Sequence, residues 1–152
     1  MNSCYDLTID ICVLMSGSGI GNKNYRQTSL ILMKIMKKRK NFSFAVDDRK
    51  KIFNQYWQKL KGTYGESWIR NMIEKEKVKI IPWRHIDRSI KIELRGVRFP
   101  IGTEDFNYVV TASGTNCKFL VSHDPHYSNE ACRILRRKLE IRVKTAHECH
   151  NL

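Results

Sequence analysis

Short apolar runs that alternate with amphipathic stretches constrain this chain more than any other feature. Strands alternating with helices fold into a mostly parallel sheet covered on both faces. Tyr5 to Ile9 reads as a buried strand, and Asp10 follows it. After a Gly-rich bend from Ser16 to Asn22, a helix is expected from about Asn24 to Arg39, with Tyr25, Ser29, Leu32 and Met36 on one face. Phe42 to Val46 is a second strand, and Asp47 and Asp48 are placed to cap a helix over Arg49 to Leu60. Ile52, Phe53, Tyr56, Trp57 and Leu60 form its apolar stripe. Gly62 and Gly65 break the pattern before a short helix marked by Trp68, Ile69, Met72 and Ile73, and Val78 to Ile81 is strand-like. Between Pro82 and Gly102, Ile90, Ile92 and Leu94 alternate with Lys91, Glu93 and Arg95, which predicts an exposed strand. Thr103 reads as the cap of a helix that turns Phe106, Val109 and Val110 inward and closes at Gly114. Lys118 to Ser122 is a short buried strand. Ser128 caps a last main helix with Ala131, Ile134, Leu135 and Leu139 on its core face, and Ile141 to Val143 is the final strand. The expected fold is a single α/β domain, a three-layer α/β/α sandwich around a central, mainly parallel sheet of four or five strands.

The chain has 152 residues, enough to bury a core without staples. Its five cysteines, Cys4, Cys12, Cys117, Cys132 and Cys149, form no C-x-x-C pair, so the reducing cytoplasm is the expected compartment. No apolar run approaches the 18 or so residues of a membrane span, and no membrane role is expected. Asp6 and Asp10 stand where an export signal would carry positive charge and then an apolar run. Lys and Arg number 28 against 15 Asp and Glu, a net charge of +13. A balance this basic points to an anionic partner, nucleic acid ahead of a membrane surface; the plain alternative is a solvated basic surface.

In an open parallel sheet the ligand crevice lies outside the carboxyl ends of the strands. Asp10 follows the first strand and Asp124 follows the strand at Lys118 to Ser122, so both reach the same edge. Asp105 opens a helix that feeds the latter strand, and such a crossover helix begins at that edge too. Any one of these aspartates could be a helix cap or a turn former. Three together in a basic protein form a cluster that a cation would neutralise, and hard carboxylate oxygens suit Mg²⁺ or Mn²⁺. An acidic metal site on a basic chain fits phosphodiester hydrolysis, with Lys and Arg holding the phosphates.

The ordered set of motifs resembles the PIN (PilT N-terminal) domain family. Thr103-Glu104-Asp105-Phe106-Asn107-Tyr108-Val109-Val110-Thr111-Ala112-Ser113, Phe119-Leu120-Val121-Ser122-His123-Asp124-Pro125-His126-Tyr127 and Leu139 to Thr145 carry the likeness in the last third. Ile9-Asp10-Ile11-Cys12-Val13-Leu14 is similar to that family's first acidic motif. The resemblance implies a nuclease domain over residues 1–145 followed by a tail at 146–152. It also implies a Mg²⁺- or Mn²⁺-dependent endoribonuclease that cleaves single-stranded RNA with metal-activated water. Asp10, Asp105 and Asp124 would be metal ligands or orient that water, with Ser122 supporting them. Many such domains are toxins, which implies a cognate antitoxin or another regulatory protein as a further partner, and a homodimer is compatible with the reading. One departure stands out. Relatives carry Ile-x-x-Glu-Tyr on the helix after strand two, and here the run is Ile52-Phe53-Asn54-Gln55-Tyr56. Gln55 supplies no charge and cannot act as a base. The rival reading is therefore a PIN-like nucleic-acid-binding or regulatory module with weakened or lost catalysis, and a third is an interaction subunit for an acidic protein. If Gln55 faces the cleft, Gln55→Glu is expected to raise metal affinity.

Other features lead less far. Gly17, Gly19 and Gly21 invite a dinucleotide reading, which fails because Asn22 stands where the last glycine is needed. His147, Cys149 and His150 match no standard zinc spacing and read as a frayed tail. Lys23 and Arg26, which start a helix at the catalytic edge, are candidate phosphate contacts; His123 and His126, which flank Asp124 there, are candidates to hold the scissile phosphate, the plain alternative being ordinary surface histidines.

Overall fold

Aromatic, aliphatic and β-branched residues dominate the runs at 5–9, 42–47 and 119–121, and strands buried on both faces of a parallel sheet need such runs. In the computed structural model, which describes residues 4–152, they form β1 (Tyr5–Ile9), β2 (Phe42–Asp47) and β4 (Phe119–Val121). With β3 (Val78–Ile81) and β5 (Arg142–Lys144) they make one sheet in the order β3-β2-β1-β4-β5, every neighbouring pair parallel. The helices are α1 (Ile11–Gly17), α2 (Arg26–Lys38), α3 (Lys51–Leu60), α4 (Tyr64–Glu74), α5 (Arg88–Gly96), α6 (Asp105–Ser113) and α7 (Asn129–Leu139). Helices α1 to α4 pack on one another, α5 packs on α7, and α6 lies over β1, β2 and β4. The result is a three-layer α/β/α sandwich around a five-stranded, all-parallel sheet.

Its core joins the sheet to the helices. Phe44 of β2 meets Trp68 of α4 with ring centroids 5.3 Å apart, and Tyr56 of α3 is wholly buried beside them. Burial of each such side chain contributes roughly 1.5–3 kcal/mol. The Trp68 indole N–H is satisfied by the Met33 carbonyl of α2 at 2.7 Å, so the buried polar atom costs little.

Three local expectations are corrected. The segment Ile90 to Leu94 lies inside helix α5 and is not an exposed strand. Ile90 and Leu94 are buried while Ile92 is 55% exposed. Spacings of two and four coincide at 90 and 94, and burial of the i, i+4 pair against the core settles the choice for helix. Helix α6 starts from Glu104 with no side-chain cap; the Thr103 hydroxyl donates instead to the Pro100 carbonyl at 3.2 Å. The C-terminal segment is docked, not frayed. His147–Cys149 make a 3-10 turn, Cys149 is buried, and a His150 ring nitrogen lies 2.8 Å from the Thr28 carbonyl of α2.

Helix α1 fills the apolar stretch left without an element between Asp10 and the Gly-rich bend. Gly65 sits within the first turn of α4, where its N–H donates to the Ser18 hydroxyl at 2.9 Å. Among the described residues, no helix is long and apolar enough to cross a membrane. The strand order places β2 and β3 on one side of β1, and β4 and β5 on the other. The crevice rule therefore points to the carboxyl ends of β1 and β4.

Candidate metal centre

Parallel pairing of Thr8 with Leu120 and Ile9 with Val121 puts the residues that leave β1 and β4 side by side. The Asp10 N–H continues this ladder to the Val121 carbonyl at 2.9 Å, and the Asp10 side chain is buried. Its Oδ1 caps α1 by accepting from the Cys12 N–H at 3.2 Å. Its Oδ2 accepts from the Ser122 hydroxyl at 2.9 Å. That same hydroxyl accepts from the Asp124 N–H at 3.0 Å, so Ser122 ties Asp10 to the Asp124 loop.

Asp105 reaches the edge from the first turn of α6. The His126 N–H donates to Asp124 Oδ1 at 2.9 Å, a turn that folds the imidazole back over the carboxylates. His126 Nδ1 lies 3.1 Å from Asp124 Oδ1 and 3.2 Å from Asp105 Oδ2. One ligand atom each from Asp105, Asp124 and His126 all fall within 4.8 Å of one another, a donor set able to hold a metal ion.

The electrostatics agree with an unneutralised acidic cluster. Burial, reinforced by the charges of Asp105 and Asp124, pushes Asp10 up to about 6 against hydrogen bonds from Cys12 and Ser122 that favour its anion. Burial and then Asp124 raise Asp105, while His126 pulls it back. A cation placed among these groups reverses the penalty. The Tyr127 hydroxyl gives an independent observation. It is buried, has no hydrogen-bond partner among the described residues, and feels the charges of Asp10, Asp105 and Asp124. An orphaned hydroxyl costs about 1–3 kcal/mol, which a bound group or its water would offset. The residues present can therefore hold a metal ion.

Gln55 is buried on α3 with both ends of its amide hydrogen-bonded. The Tyr108 hydroxyl donates to Gln55 Oε1, and Gln55 Nε2 donates to Glu104 Oε2 at 2.8 Å. Tyr108 also accepts from the Ile11 N–H at 3.2 Å, so the amide joins the start of α1 to the residue before Asp105. Lys23 lies in a 3-10 turn capped by Asn22 and Arg26 opens α2; both side chains are exposed. His123 stacks on Tyr25 with centroids 4.0 Å apart, and its Nε2 lies 3.3 Å from the Ser16 hydroxyl.

The aspartates expected from sequence thus converge, with Ser122 between them. His126 belongs to the carboxylate cluster itself, and Gln55 reaches it indirectly, through Glu104 beside Asp105 and through Tyr108 and the Ile11 N–H beside Asp10. Sequence assigned no site role to Glu104, Tyr108, Tyr127 or Tyr25. Glu104 stands beside Asp105, the one local signal; the tyrosines look like core residues until their hydroxyls are placed. Comparison with protein-family models, with curated proteins and with solved structures finds no match for the chain.

Proposed function

We propose that the chain is a Mg²⁺- or Mn²⁺-dependent endoribonuclease of PIN type that hydrolyses single-stranded RNA. One observation carries the reading: acidic groups from three distant segments converge, with a histidine and an orphaned tyrosine hydroxyl, at the carboxyl edge of the sheet in a chain of net charge +13. When bound, the ion supplies a Lewis acid that activates water and neutralises charge on the phosphate. Asp105 and Asp124 would hold it, with the His126 nitrogen as a third donor. Ser122 keeps Asp10 and the Asp124 loop in register through its two hydrogen bonds. Lys23 and Arg26 are exposed and offer charge to phosphates.

The second reading, a nucleic-acid-binding or regulatory module without hydrolysis, is favoured by Gln55, whose amide is spent on Tyr108 and Glu104 and adds no charge. Incubation of purified protein with mixed RNA and Mn²⁺, with and without chelator, separates the two. The nuclease reading expects chelator-sensitive cleavage that Asp10→Asn, Asp105→Asn and Asp124→Asn each abolish, and that Ser122→Ala weakens by about 10- to 100-fold. RNA binding without cleavage supports the module. Cleavage untouched by all three aspartate substitutions overturns the carboxylate assignment.

A further inference from the structure

Beside the acidic cluster, and sharing Asp124 with it, the molecule has a cleft of about 330 Å³. Met15 and Pro125 give it apolar walls, the Tyr25 and His123 rings line it, and Asn22 and Asp124 are its polar groups. The two rings lie within 4° of parallel, held by the Ser16 contact to His123. Tyr25 is only half-buried, so it is no ordinary core residue. The Asn22 side-chain oxygen is taken by the Asn24 N–H at 2.9 Å, which leaves its amide nitrogen to donate elsewhere. Lys23 and Arg26 neighbour the cleft in sequence and are exposed.

Each of these features suits an unpaired nucleobase. A volume near the bottom of the range for small-ligand sites admits one ring system, not a helix. Single strands bind where aromatic faces stack with bases and flanking cations take the backbone. A duplex keeps its bases stacked on one another and offers no free face. Continuity with Asp124 would bring the phosphate beside that base to the carboxylates.

We infer that this cleft is a nucleobase subsite, in which one unpaired base of an RNA strand stacks against the Tyr25–His123 pair and meets the Asn22 amide at its edge. The inference rests on the reading of RNA as substrate and names what selects the cleavage position. An acidic protein segment would need the cations but not the rings.

The test uses the full chain in chelator, so that nothing is cut. Fluorescence anisotropy compares labelled single-stranded RNA oligonucleotides of each base with an abasic oligonucleotide of equal length and phosphate count. At least one base-bearing strand is expected to bind about tenfold tighter than the abasic one, the scale of one base–aromatic stack. Tyr25→Leu and His123→Ala should each shrink that gap to about twofold or less and leave abasic binding unchanged, whereas Tyr25→Phe keeps it. Circular dichroism checks that each variant is folded. Equal binding of abasic and base-bearing strands to wild type overturns the subsite without recourse to any variant, as does binding of neither, or a gap that survives both ring removals. Absence of the gap in wild type with Mn²⁺-dependent cleavage intact sinks the subsite alone; a wild-type gap without cleavage sinks the nuclease reading alone.

Discussion

At the scale of single residues, Asp10 and Gln55 carry the electrostatic consequences. The unfolded chain ionises Asp10 near 3.8 and the folded chain near 6, so between those values the folded state holds a proton that the unfolded state has lost. In chelator, stability therefore falls as pH rises from about 4 to about 6 and levels off above, an effect on the order of 3 kcal/mol over the whole window. Asp10→Asn should flatten this slope and be more stable than wild type near neutral pH, with the difference closing at about pH 4. Urea unfolding at several pH values reads it, and parallel curves would refute the buried charge. Gln55→Glu sets a carboxylate against Glu104 where an amide now donates at 2.8 Å. A loss of about 1–3 kcal/mol in chelator is expected, recovered when Mn²⁺ is added. A variant as stable as wild type without metal would mean that the amide does not hold Glu104.

At the scale of elements, the close approach of α1 and α4 depends on a missing side chain. A Cβ at Gly65 would lie 2.6 Å from the Ser18 hydroxyl and 3.1 Å from both Leu60 methyls. Ser18 cannot yield freely, because its hydroxyl donates to the Leu14 carbonyl at 2.7 Å and accepts from Gly65. Gly65→Ala should cost about 1–3 kcal/mol. Gly96, at the end of α5, has open space around the same position. There the alanine substitution should be neutral or stabilise by up to about 1 kcal/mol. Thermal melts of the two variants side by side test the packing, and equal shifts would contradict it.

For the whole molecule, the net charge of +13 governs how a polyanion is met. Each phosphate neutralised on a single strand contributes a slope of about −0.7 to log affinity against log salt. Binding of single-stranded RNA should weaken steeply from low to physiological salt, and Lys23→Ala and Arg26→Ala should each reduce the slope by about 0.7. Titrations at several salt concentrations measure this. A flat response would favour a protein partner, and an unchanged slope in both variants would move the phosphate contacts elsewhere on the surface.

Apolar periodicity is local, so the sequence by itself determined most of the alternating elements, and parallel strands with a crossover helix between them were enough to bring Asp10, Asp105 and Asp124 to one edge. Helix α1 was illegible because Ile11, Val13, Leu14, Ser16 and Gly17 are all buried, which leaves no polar face to mark a period. Helix α5 was misread because its buried pair satisfies both periods. The clasp of Gln55 on Glu104, the folding of His126 between two carboxylates, the orphaned Tyr127 hydroxyl and the Tyr25–His123 stack were decided only by the tertiary structure. Hydrogen bonds and stacking act over a few ångströms between residues far apart in the chain, and no sequence spacing encodes those distances.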